Sequence, residues 1–313
     1  MPTDQTPLPI ILDCDPGHDD AIAIVVAARH TNLLGLTTVA GNASIELTTR
    51  NALIMRDVLA IDVPVHAGAT RPLVSQPHYA DYVHGQSGLD GPDLPEPSGP
   101  PASHDAVGFI IDTCRAHEGV WLVPTGPLTN IALALRSAPD LAGRIAGISL
   151  MGGGTFGNRT AAAEFNLWAD PEAAAMVFDY GGPLIMSGLD LTHQFRATPD
   201  RIETVRALPG RLAEVFADLF DFFSGTYMRR HHHLDGAPVH DPCAVLCLTH
   251  PHLFGRQAAH VAVETTGNLT RGMTVIDQRS LREVPPPNCD RLTTIDSDAA
   301  FDIVIEAIAS FSN

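Results

Sequence analysis

The fold is set by a stretch near the amino terminus that reads Pro9-Ile-Ile-Leu-Asp-Cys-Asp-Pro-Gly-His-Asp-Asp20. Residues 9–14 are mostly apolar, which is typical of a strand buried on both faces. Residues 19–30 have a helical pattern, and Pro16 with Gly17 predicts a turn between the two segments. A strand, a short turn and a helix form the first part of a βαβ unit. The stretch therefore predicts a parallel sheet.

Strand-like and helix-like segments continue to alternate along the chain. Further strands are predicted at residues 33–40, 63–67, 120–124, 145–151, 183–187 and 292–295, and helices at 45–60, 105–117, 127–136, 171–180, 209–224 and 298–311. This alternation predicts an α/β fold with a mainly parallel central sheet flanked by helices, a Rossmann-like open sheet. The Gly- and Pro-rich residues 85–101 are interpreted as a long loop, so residues 1–313 are predicted to form a single domain.

Composition excludes several classes of protein. The chain has 313 residues, of which 45% are hydrophobic and 18% charged, so it has enough apolar side chains for a large core. Its net charge of −17 disfavours nucleic-acid binding, which needs a surplus of cations. The longest apolar run, residues 21–28, is too short to span a membrane. The five cysteines are odd in number and form no CxxC pair, which favours a reducing, cytoplasmic location.

The first turn contains four acidic residues. Period-2 geometry places Asp13 and Asp15 on one side of the strand end, and Asp19 and Asp20 fall in the first helical turn, where the helix dipole favours carboxylates. Helix capping and solvation could account for two such acids. Four carboxylates so close together repel one another and require a compensating cation. A site for a hard cation is therefore favoured.

The acidic turn is similar to the DxDPGxDD signature of the nucleoside hydrolases, the inosine–uridine-preferring family. Further blocks match the family in the same order, over roughly residues 9–250. They are Thr38-Val-Ala-Gly-Asn42, His84-Gly85, Pro124-Thr-Gly-Pro-Leu-Thr-Asn130, Met151-Gly-Gly-Gly154 with Asn158, Glu164-Phe-Asn166 with Asp170-Pro-Glu172, and His240-Asp-Pro242. Seven spaced blocks make a chance match improbable.

This resemblance implies a Ca²⁺-dependent enzyme that hydrolyses the N-glycosidic bond of purine or pyrimidine ribonucleosides in nucleoside catabolism or salvage. It implies metal binding by the side chains of Asp15, Asp20 and Asp241 and by the carbonyl of Thr125. Asp15 is the expected base for the attacking water, and His240 the expected acid for the departing base. The implied ribose contacts are Asp19, Asn42, Asn158, Glu164 and Asn166, and His84 and His240 would face the nucleobase.

The family also suggests a mobile lid and an oligomer. Residues 225–240 correspond to a lid over the nucleobase, so Tyr227, Arg230 and His231–His233 are candidate base contacts. Adjacent histidines do not share a helical face, so a zinc site at His231–His233 is disfavoured. Family members are homodimers or homotetramers, and no nucleic-acid or membrane partner is expected.

The oxygen ligands that the resemblance implies suit Ca²⁺. Ca²⁺ accepts six to eight oxygen ligands in flexible geometry, whereas Mg²⁺ resists a crowded shell and zinc prefers nitrogen and sulfur. Asp241 could instead cap the helix that begins at Pro242, a role that can conflict with metal binding.

Two other functions remain open from the residues. A Mg²⁺-dependent phosphatase of the haloacid dehalogenase type also has two aspartates two apart, but Gly17 stands where it needs Thr or Val. A non-catalytic ribose- or nucleoside-binding protein would keep the ribose blocks, but it would need neither a water-activating ion nor His240.

Overall fold

A central sheet of eight strands runs through the protein in the computed structural model, which describes residues 7–230, 234–279 and 283–312. The described strands are β1 (Pro9–Cys14), β2 (Asn32–Thr38), β3 (Val65–Ala67), β4 (Trp121–Pro124), β5 (Gly147–Met151), β6 (Leu184–Ser187), β7 (Arg196–Ala197), β8 (Ala237–Pro238), β9 (Phe254–Ala259), β10 (Val261–Val263), β11 (Thr274–Ile276) and β12 (Cys289–Ile295). The described α-helices are α1 (His18–His30), α2 (Ile45–Val58), α3 (Asp81–His84), α4 (Ala106–Ala116), α5 (Thr129–Ser137), α6 (Phe165–Ala169), α7 (Pro171–Phe178), α8 (Leu189–Thr192), α9 (Pro199–Arg206), α10 (Arg211–Met228), α11 (Pro242–Thr249) and α12 (Ser297–Ser310). Two 3₁₀ helices span Pro139–Gly143 and Pro251–Leu253. None of the helices described is both long and apolar enough to cross a membrane.

The order of the strands creates a crevice at the carboxyl ends of the central strands. The order is β3-β2-β1-β4-β5-β6-β12-β9, and all neighbours are parallel except β12 and β9. The chain builds outward from β1 to β3 in one direction and from β4 to β6 in the other. Open α/β sheets bind ligands beyond the carboxyl ends of the strands at such a reversal. The ends of β1 and β4 therefore mark the expected site.

Alternate residues of β1 pack on opposite faces of the sheet. Ile10, Leu12 and Cys14 join a core cluster that includes residues of α1, α10, α11 and α12, whereas Ile11 joins a second cluster with α4, α5 and α7. All four side chains are fully buried. The continuous apolar run in the sequence thus reflects a strand covered by helices on both sides.

The predicted α/β architecture is confirmed, and each predicted strand corresponds to one of β1–β6 or β12. The sequence did not predict α9 or the strands β9 to β11. The middle residues of β9 are mostly exposed at the sheet edge, so they show no continuous apolar run. The β10–β11 pair has only three residues in each strand, too few for a periodic pattern.

Helix α10 is longer than the prediction that ended at residue 224. Phe223 and Tyr227 lie one turn apart and pack together with Ala237 in a small buried cluster. This contact continues the apolar stripe of the helix past Gly225. Tyr227 therefore lies on a helix and not in the polar connection predicted for residues 225–240. The predicted base contacts His231–His233 lie outside the described residues.

Asp13 does not join the other acids of the first turn, which corrects the prediction that four carboxylates converge there. Its side chain lies on the same face of β1 as Ile11, and its Oδ1 accepts hydrogen bonds from Thr37 Oγ1 (2.6 Å) and Asn130 Nδ2 (2.8 Å). Burial raises the pKa of Asp13 to about 7. Asp13 is thus a buried connector between β1, β2 and α5.

Asn130 completes this connection. Its Nδ2 also donates to the carbonyl of Thr38 (2.9 Å), and its Oδ1 accepts from the N–H of Ala69 (2.9 Å). The side chain is fully buried and connects Asp13, Thr38 and Ala69, so its loss would break three hydrogen bonds.

We expect Asn130→Ala to lower the free energy of unfolding by about 3 kcal/mol or more, because several buried polar groups lose their partner and each costs about 1–3 kcal/mol. Urea unfolding followed by circular dichroism would measure the loss. Asn32→Ala is the matched control, because Asn32 is exposed on β2 and its replacement should change stability by no more than about 0.5 kcal/mol. Equal effects of the two substitutions would contradict the structural role of Asn130.

Candidate active site

An open cavity lies where the carboxyl ends of β1 and β4 meet. Asp15 comes directly after β1, and Thr125 directly after β4. The cavity is lined by both apolar and polar side chains, as sites for small ligands typically are. Its walls are formed by Asp19, Asn42, Ala80, Tyr82, Val83, His84, Thr125, Met151, Asn158, Glu164, Phe165, Asn166, Phe223, Tyr227, Arg230, His240 and Asp241.

The structure brings the predicted site residues together around this cavity. Of those that the structure describes, all line the cavity except Asp15 and Asp20, which are buried and contact lining residues. Asp15 Oδ2 accepts from the N–H of Asn42 at 2.6 Å, and Asp20 Oδ1 accepts from the hydroxyl of Thr125 at 2.8 Å. Residues that are up to 226 positions apart in the sequence, from Asp15 to Asp241, therefore share one site.

The carboxylate of Asp15 is held between two glycines. A Cβ atom on Gly41 would collide with Oδ2, and one on Gly126 would lie 2.5 Å from Oδ1. Only glycine allows both backbones to approach this closely. Oδ1 is buried and has no hydrogen-bond partner among the described residues. One oxygen of Asp15 is therefore anchored by Asn42, and the other remains available to a bound group.

Three further carboxylates gather next to Asp15. Asp19 and Asp20 lie in the first turn of α1, and Asp241 immediately precedes α11. Each offers one oxygen, and these oxygens all lie within 4.8 Å of one another. Asp241 makes no capping hydrogen bond through its side chain, so its carboxylate is free to join the group. The suggested conflict between capping and metal binding does not arise.

Burial and mutual repulsion oppose ionisation of this group. Burial raises the pKa of Asp15 well above its usual range, and the charge of Asp20 adds to the shift. The pKa of Asp241 is also raised well above normal, first by burial and then by Asp19 and Asp20. At an effective dielectric constant of about 20, two unit charges 4.8 Å apart repel by about 3.5 kcal/mol. Three mutually adjacent charges need compensation.

The donor set fits a hard divalent cation. The chain contains no lysine, and within the described ranges no arginine pairs with Asp15, Asp19, Asp20 or Asp241. The unpartnered Oδ1 of Asp15 and the neighbouring oxygens are all hard ligands, without nitrogen or sulfur. Asp19, which was expected to bind ribose, is itself one of the three aspartates whose oxygens lie within 4.8 Å of one another.

Thr125 contributes two groups near the acids. Its hydroxyl donates to Asp20, and its carbonyl oxygen accepts from Asn166 Nδ2 at 2.7 Å. A carbonyl has two lone pairs, so the bond to Asn166 leaves one for a cation. The bond also ties Asn166 to the edge of the acidic group.

A second set of polar residues comes from the segment after β5. Glu164 is buried and accepts hydrogen bonds from the N–H groups of Gly153 (3.0 Å), Asn166 (2.9 Å) and Leu167 (3.2 Å). Gly153 has a φ of +72°, a conformation that favours glycine. Asn158 Oδ1 accepts from the N–H of Phe165 at 2.9 Å. These bonds fix the side chains predicted to contact ribose.

The opposite end of the cavity is aromatic. His84 stacks on Phe223, with 5.5 Å between ring centroids, and its Nδ1 lies 3.1 Å from Nδ1 of His18. Burial lowers the pKa of His84 well below its usual range, so the ring is neutral near pH 7. Tyr227 is also buried, and its ring centroid lies 6.2 Å from that of His240. This end can enclose a flat, partly polar ring.

Arg230 closes this end at the surface, with its guanidinium 4.4 Å from the ring centroid of Tyr82. This pair lies where the sequence predicted a lid over the nucleobase.

Two residues near the cavity were missed by the sequence analysis. His18 Nε2 lies 2.8 Å from the carbonyl of Asp90, and its Nδ1 contacts His84. Thr192 Oγ1 lies 2.8 Å from His240 Nδ1. The position of Thr192 offered a signal, because residues 189–192 follow β6 at the same edge of the sheet. His18 lies within the acidic motif, but the contact of its ring with His84 depends on tertiary structure.

Comparison with known proteins agrees with this geometry. A family model described as inosine-uridine preferring nucleoside hydrolase matches residues 10–302. The pyrimidine-specific ribonucleoside hydrolase RihA of Shewanella sp. (strain MR-7) is 46% identical over 309 residues, which cover 97% of each chain. RihA of Enterobacter sp. (strain 638) is 45% identical over 310 residues, covering 97% of this chain and 99% of that relative.

Solved structures of similar proteins share the fold. The purine-preferring ribonucleoside hydrolase from Gardnerella vaginalis has a TM-score of 0.91 and 32% identity, covering 97% of this chain and 98% of that one. An inosine-guanosine nucleoside hydrolase has a TM-score of 0.86 and 27% identity, covering 96% of this chain and 98% of that one.

The acidic group predicts that a bound cation stabilises the protein more as pH rises. The metal-free carboxyls have folded pKa values above the value of about 4 in an unfolded chain. Their contribution to stability is complete below about pH 4 and is lost as pH rises through the folded pKa values. We therefore expect chelator-treated protein to lose thermal stability from pH 5 to pH 8 relative to Ca²⁺-loaded protein.

Differential scanning calorimetry would measure the gap in Tm between the two forms. Saturating Ca²⁺ should raise Tm by about 5–10 °C at pH 8 and by less at pH 5. Asp241→Asn should reduce the gap at both pH values, because it removes one charge from the group. A Tm gap that is equal at pH 5 and pH 8 would argue against cation binding by the acidic group.

Proposed function

Because the chain belongs to the inosine-uridine preferring nucleoside hydrolase family and hydrolyses the N-glycosidic bond of ribonucleosides, we propose that its preferred substrates are pyrimidine ribonucleosides and that its metal is Ca²⁺. The reaction consumes water and releases ribose and the free base. The family match favours hydrolysis over the two alternatives, a phosphatase and a non-catalytic binding protein.

The observation that carries the base preference is the identity of 45–46% to relatives named as pyrimidine-specific, over nearly the whole chain. The neighbours of solved structure that are named for purine substrates share only 27–32% identity. The fold is common to both groups, so it does not decide the preference.

The proposal of Ca²⁺ rests on the family's metal dependence and on the oxygen-only donor set. Asp15, Asp20 and Asp241 would hold the ion with their carboxylates, and Thr125 with its carbonyl. Asp19 lies within reach of the same group. When bound, the ion supplies positive charge that offsets the clustered carboxylates and lowers the pKa of water.

Asp15 is proposed as the base that removes a proton from the attacking water. Its Oδ2 is anchored by Asn42, and the unpartnered Oδ1 has lone pairs free to accept the proton. The backbones of Gly41 and Gly126 lie close against the carboxylate on either side. A fixed base raises the effective concentration of the reacting groups.

The residues after β5 are proposed to hold the ribose. The donor Nδ2 of Asn166 is occupied by the Thr125 carbonyl, so its Oδ1 is left to accept a hydrogen bond from a ribose hydroxyl. Glu164 holds a fixed carboxylate close to the sugar. As the base departs, positive charge develops on the ribose, and fixed carboxylates and amide oxygens stabilise it.

His240 is proposed as the acid that protonates the departing base. The C–N bond breaks, its electron pair moves to the base, and a proton from the imidazole neutralises the charge that results. His240 borders the cavity beside the aromatic end, where a base would lie. His84 and Tyr227 would enclose the base from the other sides.

We also propose that the protein is a homodimer or homotetramer and that it lies in the cytoplasm. The family's assemblies support a homodimer or homotetramer. Five buried, unpaired cysteines support a reducing cytoplasm.

Incubation of the purified Ca²⁺-loaded protein with uridine, cytidine, inosine and adenosine, followed by an assay for reducing sugar, tests the proposed function. We expect ribose from uridine and cytidine at a kcat/KM at least tenfold above that for the purine nucleosides. Asp15→Asn should lower kcat by about 10²–10⁴-fold, the usual contribution of a general base, while circular dichroism shows a folded protein.

A faster reaction with the purine nucleosides would contradict the base preference alone. Near-normal turnover by Asp15→Asn would remove Asp15 as the base. Absence of ribose from all four substrates would contradict the proposed function itself.

We expect His240→Ala to discriminate between leaving groups. The substitution should lower kcat/KM for uridine by about 10²-fold or more, because the departing base needs a proton. Hydrolysis of p-nitrophenyl riboside should change little, because p-nitrophenolate leaves without one. Steady-state kinetics with both substrates would measure this, with exposed His252→Ala as the control. Equal losses on both substrates would exclude the acid role.

A further inference from the structure

Thr192 contacts His240, the proposed acid, but is not among the residues proposed to touch the substrate or the metal. Its Oγ1 lies 2.8 Å from Nδ1 of His240. Thr192 is fully buried and His240 is 7% exposed, so the contact is shielded from water. We propose that Thr192 is a positioning residue that holds His240 through Nδ1 and so presents Nε2 to the nucleobase. This inference rests on the proposed function of His240 as acid.

The backbone on both sides of the contact is fixed. Thr192 ends α8, and its N–H donates to the carbonyl of Gly188 at 3.0 Å. On the other side, the N–H of Val239 donates to the carbonyl of Phe195 at 2.8 Å. The short strands β7 and β8 pair directly beyond this bond. The segment before His240 is therefore tied to the segment after Thr192, which keeps the two side chains close to each other.

The chemistry of an acid explains why a hydroxyl is suitable at this position. A histidine that donates a proton from Nε2 must also carry a proton on Nδ1, which needs an acceptor in a buried site. The lone pairs of Thr192 Oγ1 can accept that hydrogen bond. After Nε2 has given its proton to a nitrogen or oxygen of the base, Nδ1–H still donates to Thr192. The ring thus keeps one orientation before and after the transfer.

The hydroxyl is a neutral partner for the imidazole. It orients the ring of His240 without adding a negative charge beside it.

The test compares Thr192→Val with Thr192→Ser in the Ca²⁺-loaded enzyme. Valine has nearly the shape of threonine but lacks the hydroxyl, whereas serine keeps it. We expect Thr192→Val to lower kcat for uridine by about 10–100-fold, because protonated His240 loses a buried hydrogen bond. KM should change little, because the proposed ribose contacts are not altered. Thr192→Ser should remain within about fivefold of the unmodified enzyme. Hydrolysis of p-nitrophenyl riboside should change by less than about threefold in both variants.

A double-mutant cycle separates positioning from a general structural effect. If Thr192 acts through His240, adding Thr192→Val to His240→Ala should change the kcat for uridine by less than about twofold. Additive losses, or an equal loss on p-nitrophenyl riboside, would overturn the positioning role. If His240→Ala itself shows no difference between leaving groups, the proposed acid is wrong. If it does and Thr192→Val does not, only the role of Thr192 is wrong.

Discussion

Repulsion among buried carboxylates is the constraint on which the site depends. Asp15, Asp19, Asp20 and Asp241 lie together with little access to solvent, and no arginine in the part of the chain that the structure describes balances their charge. Burial alone would drive these groups to the neutral form. A bound cation reverses that preference and turns the same repulsion into affinity. Binding of a cation, folding of the first turn of α1 and ionisation of Asp15, the proposed base, would therefore be coupled.

The sheet makes this arrangement possible. Asp15 and Thr125 follow adjacent parallel strands, so their backbones reach the same edge at neighbouring positions. Asp241 arrives at the same edge at the start of α11, which packs against α1 through the shared core. The close approaches at Gly41 and Gly126 then hold the Asp15 carboxylate in place. The polar side chains of the site thus rest on buried core elements.

Much of this organisation could be predicted from the sequence. Apolar runs and their spacing predicted the parallel sheet, and the spaced motif blocks predicted which residues share the cavity. Asp13 could not be assigned in this way, because period-2 spacing gives its face but not its partners Thr37 and Asn130. Tyr227 was placed in a loop, because the packing that extends α10 involves Ala237, a residue ten positions further on.

The contact between Thr192 and His240 shows the same limit more sharply. It joins residues 48 positions apart, through a two-residue strand pair that has no periodic signal. The apolar pattern of a segment predicts which of its side chains are buried. A single hydrogen bond between side chains distant in sequence depends on the whole fold.

The cavity has two walls of different origin. The acidic residues and those proposed to hold the ribose follow core strands or begin buried helices, whereas the aromatic wall comes largely from α3 and the last turns of α10. The two walls therefore come from different elements, and His84 joins them through its contact with His18 next to the acidic residues. If the aromatic wall encloses the nucleobase as proposed, substitutions in α3 and the end of α10 would change the nucleobase preference while the acidic residues stay the same.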